Sequence, residues 1–129
     1  MSAVDTNVLV RFLVRDDPRQ EARATSLIRN TPVWISKTVL LETEWVLRSL
    51  YGFPADARAG VLSALAGLRT VFMEDEPAVA KALRWFQGGL DFADALHLAS
   101  VGDAKQFATF DRKLIKQAKR LVSLETISL

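Results

Sequence analysis

Short β-forming runs alternate with long helical stretches along this 129-residue chain, and that alternation constrains the fold more than any other feature. The runs are Ser2–Val4, Val33–Ile35, Thr70–Met73, Gln106–Thr109 and Leu121–Leu124. The first three start more than 30 residues apart, room for a helical crossover between parallel strands. Helix signals fill the gaps. Thr6–Val14 directly follows the first run. Asp17 and Pro18 read as an N-cap and first helical residue, opening a segment to about Arg29. Lys37–Tyr51 stops at Gly52, Pro54 opens a segment to about Leu68, and Pro77 opens one to about Phe86. Asp91–Asp103 and Asp111–Arg120 complete the set. The expectation is an α/β fold, a parallel sheet with helices on both faces, in one domain spanning residues 1–129.

Composition removes many chemistries. There is no cysteine, so disulfides, thiolate nucleophiles and Cys-ligated metals are excluded. Lack of cysteine also fits a reducing compartment, and a cytoplasmic location is expected. His97 is the only histidine, which excludes HExxH and other multi-histidine sites. The six glycines form neither a dinucleotide-binding nor a P-loop fingerprint. No apolar run approaches the ~20 residues of a membrane helix, and the N-terminus lacks a basic leader. No membrane partner is expected.

What remains is a set of acids in apolar company. At ~100° per residue, Lys37, Glu44 and Arg48 share one narrow face of their helix, so Glu44 is expected at the surface. Glu42 falls between Trp45 and Val46 on the apolar arc, where a carboxylate is costly unless paired or metal-bound. Asp91 and Asp94 are three apart in a segment that is otherwise almost wholly apolar. Asp91 has an ordinary alternative as a helix N-cap, and Asp94 as a structural hydrogen-bond or ion-pair partner. Asp5 and Asp111 also precede helices and can cap them. Both also lie just after strands, at the edge where open α/β sheets bind ligands.

If Asp5, Glu42, Asp94 and Asp111 converge, their mutual repulsion is on the order of 15–20 kcal/mol at an effective dielectric of ~20. That exceeds the ~5–15 kcal/mol stability of a typical domain, so protons or cations must relieve it. An all-oxygen ligand set favours Mg²⁺ or Mn²⁺.

Four stretches carry a resemblance: Val4-Asp5-Thr6-Asn7-Val8-Leu9, the segment Val39 to Leu47 around Glu42, Asp91-Phe-Ala-Asp94-Ala-Leu-His-Leu-Ala, and Thr109-Phe110-Asp111-Arg112. In this order and at this length they resemble the PIN-domain ribonucleases, and most of all the VapC-type toxins of bacterial toxin–antitoxin pairs. The resemblance implies a PIN-like three-layer fold with a parallel five-stranded sheet flanked by helices. It implies one or two Mg²⁺ or Mn²⁺ ions held by Asp5, Glu42, Asp94 and Asp111, and hydrolysis of RNA phosphodiester bonds; the motif alone matches Glu42 or Glu44, and the wheel favours Glu42. Asp91 is a weaker match, and Thr6, Asn7 and Thr109 match polar supporting positions. A cognate antitoxin and a homodimer are implied in the same way.

The cations suit such a substrate. Net charge is +2, and two divalent ions would make it +6. Arg112, Lys113, Lys116, Lys119 and Arg120 crowd the last helix with no acid before Glu125, while Arg11 and Arg15 follow Asp5. Arg11, Arg15, Arg112, Lys113 and Lys116 are therefore candidate RNA contacts, the alternative being a solvated charged face. His97 has a general-base reading and a structural one. The tryptophans and phenylalanines read as core or interface rather than as a base-stacking platform.

Three rivals share parts of the pattern. A receiver-like metal-binding signalling domain needs paired acids after the first strand, and here Asp5 stands alone. A haloacid-dehalogenase-type phosphatase needs a second acid where Asn7 stands. A non-catalytic RNA- or partner-binding module would keep the scaffold without turnover.

Overall fold

The computed structural model describes residues 1–129. In chain order the elements are β1 (Ser2–Ala3), α1 (Thr6–Val14), α2 (Pro18–Asn30), β2 (Val33–Ile35), α3 (Lys37–Ser49) and α4 (Ala55–Ala66). They continue with β3 (Val71–Met73), α5 (Glu76–Gln87), α6 (Phe92–Ala99), β4 (Gln106–Thr109), α7 (Arg112–Leu121) and β5 (Glu125–Ser128). The α/β class is as the alternation predicts. The chain forms two compact units, Met1–Glu76 and Pro77–Leu129.

Every strand pairing is parallel, but the strands fall into two sheets rather than one of five. Unit 1 holds the order β1-β2-β3, and unit 2 holds β4-β5. In unit 1, β1 is only two residues long and its backbone reaches β2 through Ser2 N–H to the Pro32 carbonyl and Val4 N–H to the Trp34 carbonyl. Helix α1 packs on α2 and α3, and α4 packs on α3 and β3. The buried residues follow from periodicity. Val33 and Ile35, and Val71 and Met73, point to one side of the sheet at period 2. Leu9, Val10 and Phe12 on α1, and Leu40 and Leu47 on α3, supply helix faces. The alternate residues Trp34 and Phe72 are register partners and remain 37% and 43% exposed. Trp45 and Phe110 are also exposed, so of the two expected settings, core or interface, these four aromatics do not take the core.

In unit 2, Phe86 and Phe92 meet with ring centroids 5.3 Å apart, and α7 packs on β5. The last strand corrects the sequence reading, which put it at Leu121–Leu124. Leu121 instead ends α7, which Val122 N–H closes on the Ala118 carbonyl, and its side chain packs over Gly88, where a Cβ would stand 2.9 Å from Leu121 Cδ2. The pairing run then starts four residues later, at Glu125 against Gln106. Helix α6 is also shorter than Asp91–Asp103. Its end tightens through Ser100 N–H to the His97 carbonyl, and Gly102 turns the chain at φ +61°.

Candidate active site

In unit 1, Asp5 stands between β1 and α1 in extended backbone and caps the helix, Oδ1 accepting from Val8 N–H at 3.1 Å. Thr6 is buried, and its hydroxyl donates to Glu42 Oε1. Glu42 is exposed on α3 and is thereby held beside the start of α1. Asn7 lines the same cleft as Asp5. The four residues Asp5, Thr6, Asn7 and Glu42 are thus brought together.

The burial of the two glutamates is the reverse of the helical-wheel expectation. Glu44 is buried, 2% exposed, and Glu42 is not. The buried face of α3 is Leu40, Thr43, Glu44 and Leu47, an i, i+3, i+4, i+7 stripe with Glu44 inside it. The charge is tolerated because Arg58 Nε of α4 lies 2.9 Å from Glu44 Oε2, with Arg48 Nε at 3.5 Å. Trp45 is left outside, 49% exposed. Glu42 therefore stands out because it reaches Thr6 beside Asp5, not because it is buried, while Glu44 is already neutralised by two arginines.

In unit 2, Asp91 caps α6, its Oδ2 accepting from Asp94 N–H at 3.3 Å. Asp111 caps α7, its Oδ1 accepting from Leu114 N–H at 3.1 Å, while Thr109 Oγ1 accepts from Asp111 N–H at 3.0 Å. The cap alternatives for Asp5, Asp91 and Asp111 are therefore real. Each cap uses one carboxylate oxygen, and a carboxylate offers about four lone-pair sites, so capping leaves acceptors for a ligand.

Asp94 differs from all of these. It lies in the first turn of α6, half-buried, and no lysine or arginine pairs with it. Burial pushes its carboxyl above the ordinary value, the negative charges of Asp91 and Asp111 push it further, and nearby His97 partly offsets them. His97 itself is exposed, so it is not a packed core histidine.

The cations divide into three groups. Arg11 donates to Gln20 of α2, to Asp16 between α1 and α2, and to Tyr51, and its pKa is raised, first by Tyr51 and then by the charges of Asp16 and Asp17, against desolvation. Arg15 ends α1 at φ +61° and pairs with Glu21 at 3.7 Å, outside the Asp5 cleft. Arg112, Lys113, Lys116, Lys119 and Arg120 are exposed on the side of α7 opposite buried Leu114 and Ala118, and none forms an ion pair. Arg23, which the sequence reading passed over, lines the Asp5 cleft. Its signal was spacing: Gln20, Arg23, Ala24 and Leu27 form one i, i+3, i+4, i+7 face of α2.

The chain matches the model of the PIN domain over residues 3–120, and it belongs to that family. PIN domains are in general metal-dependent nucleases that typically use divalent ions such as Mg²⁺. Among curated proteins, none matches the chain. No helix is long and apolar enough to cross a membrane.

The donor set suits such an ion. Only carboxylates, hydroxyls and amides are offered, and Asp94 is a half-buried carboxyl with no lysine or arginine partner. No three His, Cys, Asp or Glu side chains stand in ligating geometry.

Proposed function

We propose that the chain is a Mg²⁺- or Mn²⁺-dependent endoribonuclease, the toxin of a toxin–antitoxin pair, with Asp5, Glu42, Asp94 and Asp111 as its metal-binding acids. The observation that carries the reading is Asp94: a half-buried carboxylate without a cationic partner, next to two further acids, in a chain of a nuclease family. A single PIN-like domain over residues 1–129 belongs to the same proposal, supported by the family match over residues 3–120. One or two ions, an RNA substrate, a cognate antitoxin, a homodimer and a cytoplasmic location belong to the same proposal.

The chain's own residues have separable tasks. Asp91 fixes the first turn of α6, which sets the direction of Asp94. Thr6 orients Glu42 by donating to it. Thr109 holds the backbone of Asp111. Asp5 and Asp111 each spend one oxygen on a helix end and keep the other outside the cap. The α7 cations attract the phosphate backbone toward an otherwise acidic neighbourhood. A bound divalent ion supplies an activated water and stabilises the leaving oxygen. No cysteine, serine or histidine nucleophile is needed.

The test is cleavage of end-labelled RNA by purified protein in Mg²⁺, Mn²⁺ or EDTA. Divalent-dependent cutting, lost in a folded Asp94→Asn variant, is the expected result. Cutting in EDTA, or an Asp94→Asn variant that cuts at the wild-type rate, contradicts the assignment.

A further inference from the structure

A cleft of about 500 Å³ opens between α1 and α2 and includes Asp5 in its lining. Its size lies within the ~300–1,000 Å³ of small-ligand sites. Val8, Ala24 and Leu27 form its apolar part. Asn7, Gln20, Arg11 and Arg23 form its polar part beside Asp5. Two guanidinium groups suit a phosphate, and the aliphatic wall beside them can take the apolar face of the nucleotide that carries it.

Arg11 is held in a fixed pose. Its Nε donates to Gln20 Oε1 at 2.6 Å, and its Nη1 donates to Asp16 Oδ1 at 3.2 Å and Tyr51 Oη at 3.4 Å. Tyr51 Oη in turn donates to Asp16 Oδ2 at 2.9 Å. These bonds use Nε and Nη1 and leave Nη2 to a ligand. A fork fixed in advance loses less side-chain entropy when it meets a phosphate. Arg23 forms no ion pair within the chain.

We infer, on the strength of the ribonuclease reading above, that this cleft takes a single-stranded RNA nucleotide adjoining the cleaved bond, its phosphate on Arg11 and Arg23 and its base on Val8, Ala24 and Leu27. Tyr51 and Asp16 act through Arg11 and are positioning residues. Two cations in the lining favour RNA over an apolar peptide as the occupant.

The test is binding of a short fluorescent single-stranded RNA, followed by anisotropy in Ca²⁺ and in EDTA over a salt series, with thermal melts to confirm folding. Arg23→Gln should lower the slope of log affinity against log salt by about 0.7, the loss of one phosphate contact on a single strand. Tyr51→Phe keeps every charge and should weaken binding on the order of 5-fold with the slope unchanged. In cleavage assays Tyr51→Phe should raise KM and leave kcat unaltered, a split that general destabilisation does not produce. Arg11→Lys should behave like Tyr51→Phe, because the charge stays and the fork is lost. Binding is read separately from cutting. A protein that binds RNA through Arg23 but never cuts it leaves the nucleotide site standing and sinks the ribonuclease reading. Wild-type protein that binds no RNA in either condition, or variants that match its affinity and slope, overturn the site. In the second case the cleft serves a protein partner or nothing.

Discussion

The two units treat their acids differently. In unit 1, Asp5 and Glu42 are exposed, and Thr6 donates a hydrogen bond to Glu42. The one deeply buried acid there, Glu44, sits between two arginines. In unit 2, Asp94 is half-buried among like charges and has no arginine or lysine at all. Both arrangements place a carboxylate away from water, but only the first supplies its counter-charge from the chain. The contrast separates a structural acid from one that fits an external cation, and burial alone would have ranked them the wrong way round.

The largest effect that sharpens this contrast belongs to the structural pair. Arg58→Met should destabilise the protein by about 3–5 kcal/mol, since it leaves Glu44 buried against the weaker contact with Arg48. Denaturant melts measure this, and a companion Glu44→Met, Arg58→Met double variant should recover much of the loss. A fall below ~1 kcal/mol for Arg58→Met would mean that Glu44 is not held as an ion pair.

Next comes the acid proposed to hold the metal. Asp94→Asn should reduce RNA cleavage by more than ~100-fold while the protein stays folded, because loss of a ligand exceeds the ~10–100-fold typical of its outer partners. Thr6→Val, which removes only the donor to Glu42, should fall within that smaller range in the same assay. Equal losses for the two would erase the distinction between ligand and support.

The smallest effect is on stability against pH. The Asp94 carboxyl is raised first by burial and then by Asp91 and Asp111, so the folded protein holds that proton more tightly than the unfolded chain. Its contribution to stability is intact below about pH 4 and is lost as pH rises through the raised folded value. Asp94→Asn should therefore raise the Tm of metal-free protein slightly at neutral pH, and the gain should vanish on acidification. A Tm that falls at neutral pH would indicate a stabilising partner for Asp94 in the chain.

Much of this was legible beforehand because the signals are local. Helix α1 begins and ends where the Asp5 cap and the Thr6–Val14 pattern put it, and Asp17-Pro18 opens α2 as expected. Asp94 stood out because a charge in an apolar helix is visible in eight residues of sequence. Glu44 was misread because its partner, Arg58, lies on another helix, and a wheel drawn for α3 alone assigns any charged residue to water. The last strand differs for a similar reason: Leu121 fits a β run by type, but α7 runs on to it and its side chain packs over Gly88. Arg23 was passed over because only the packing of α1 on α2 gives its face a cleft to line. The distribution of five strands over two sheets depends on hydrogen bonding that no single run encodes.

The most direct test of the central claim, that the crowded carboxylate of unit 2 takes a divalent cation, is a calorimetric titration of apo protein with Mn²⁺ at neutral pH, wild type beside Asp94→Asn. Saturable binding by the wild type, weakened at least ~10-fold or abolished in the variant, is the expected result. Wild-type protein that binds no Mn²⁺, or a variant that binds it as well, would contradict it.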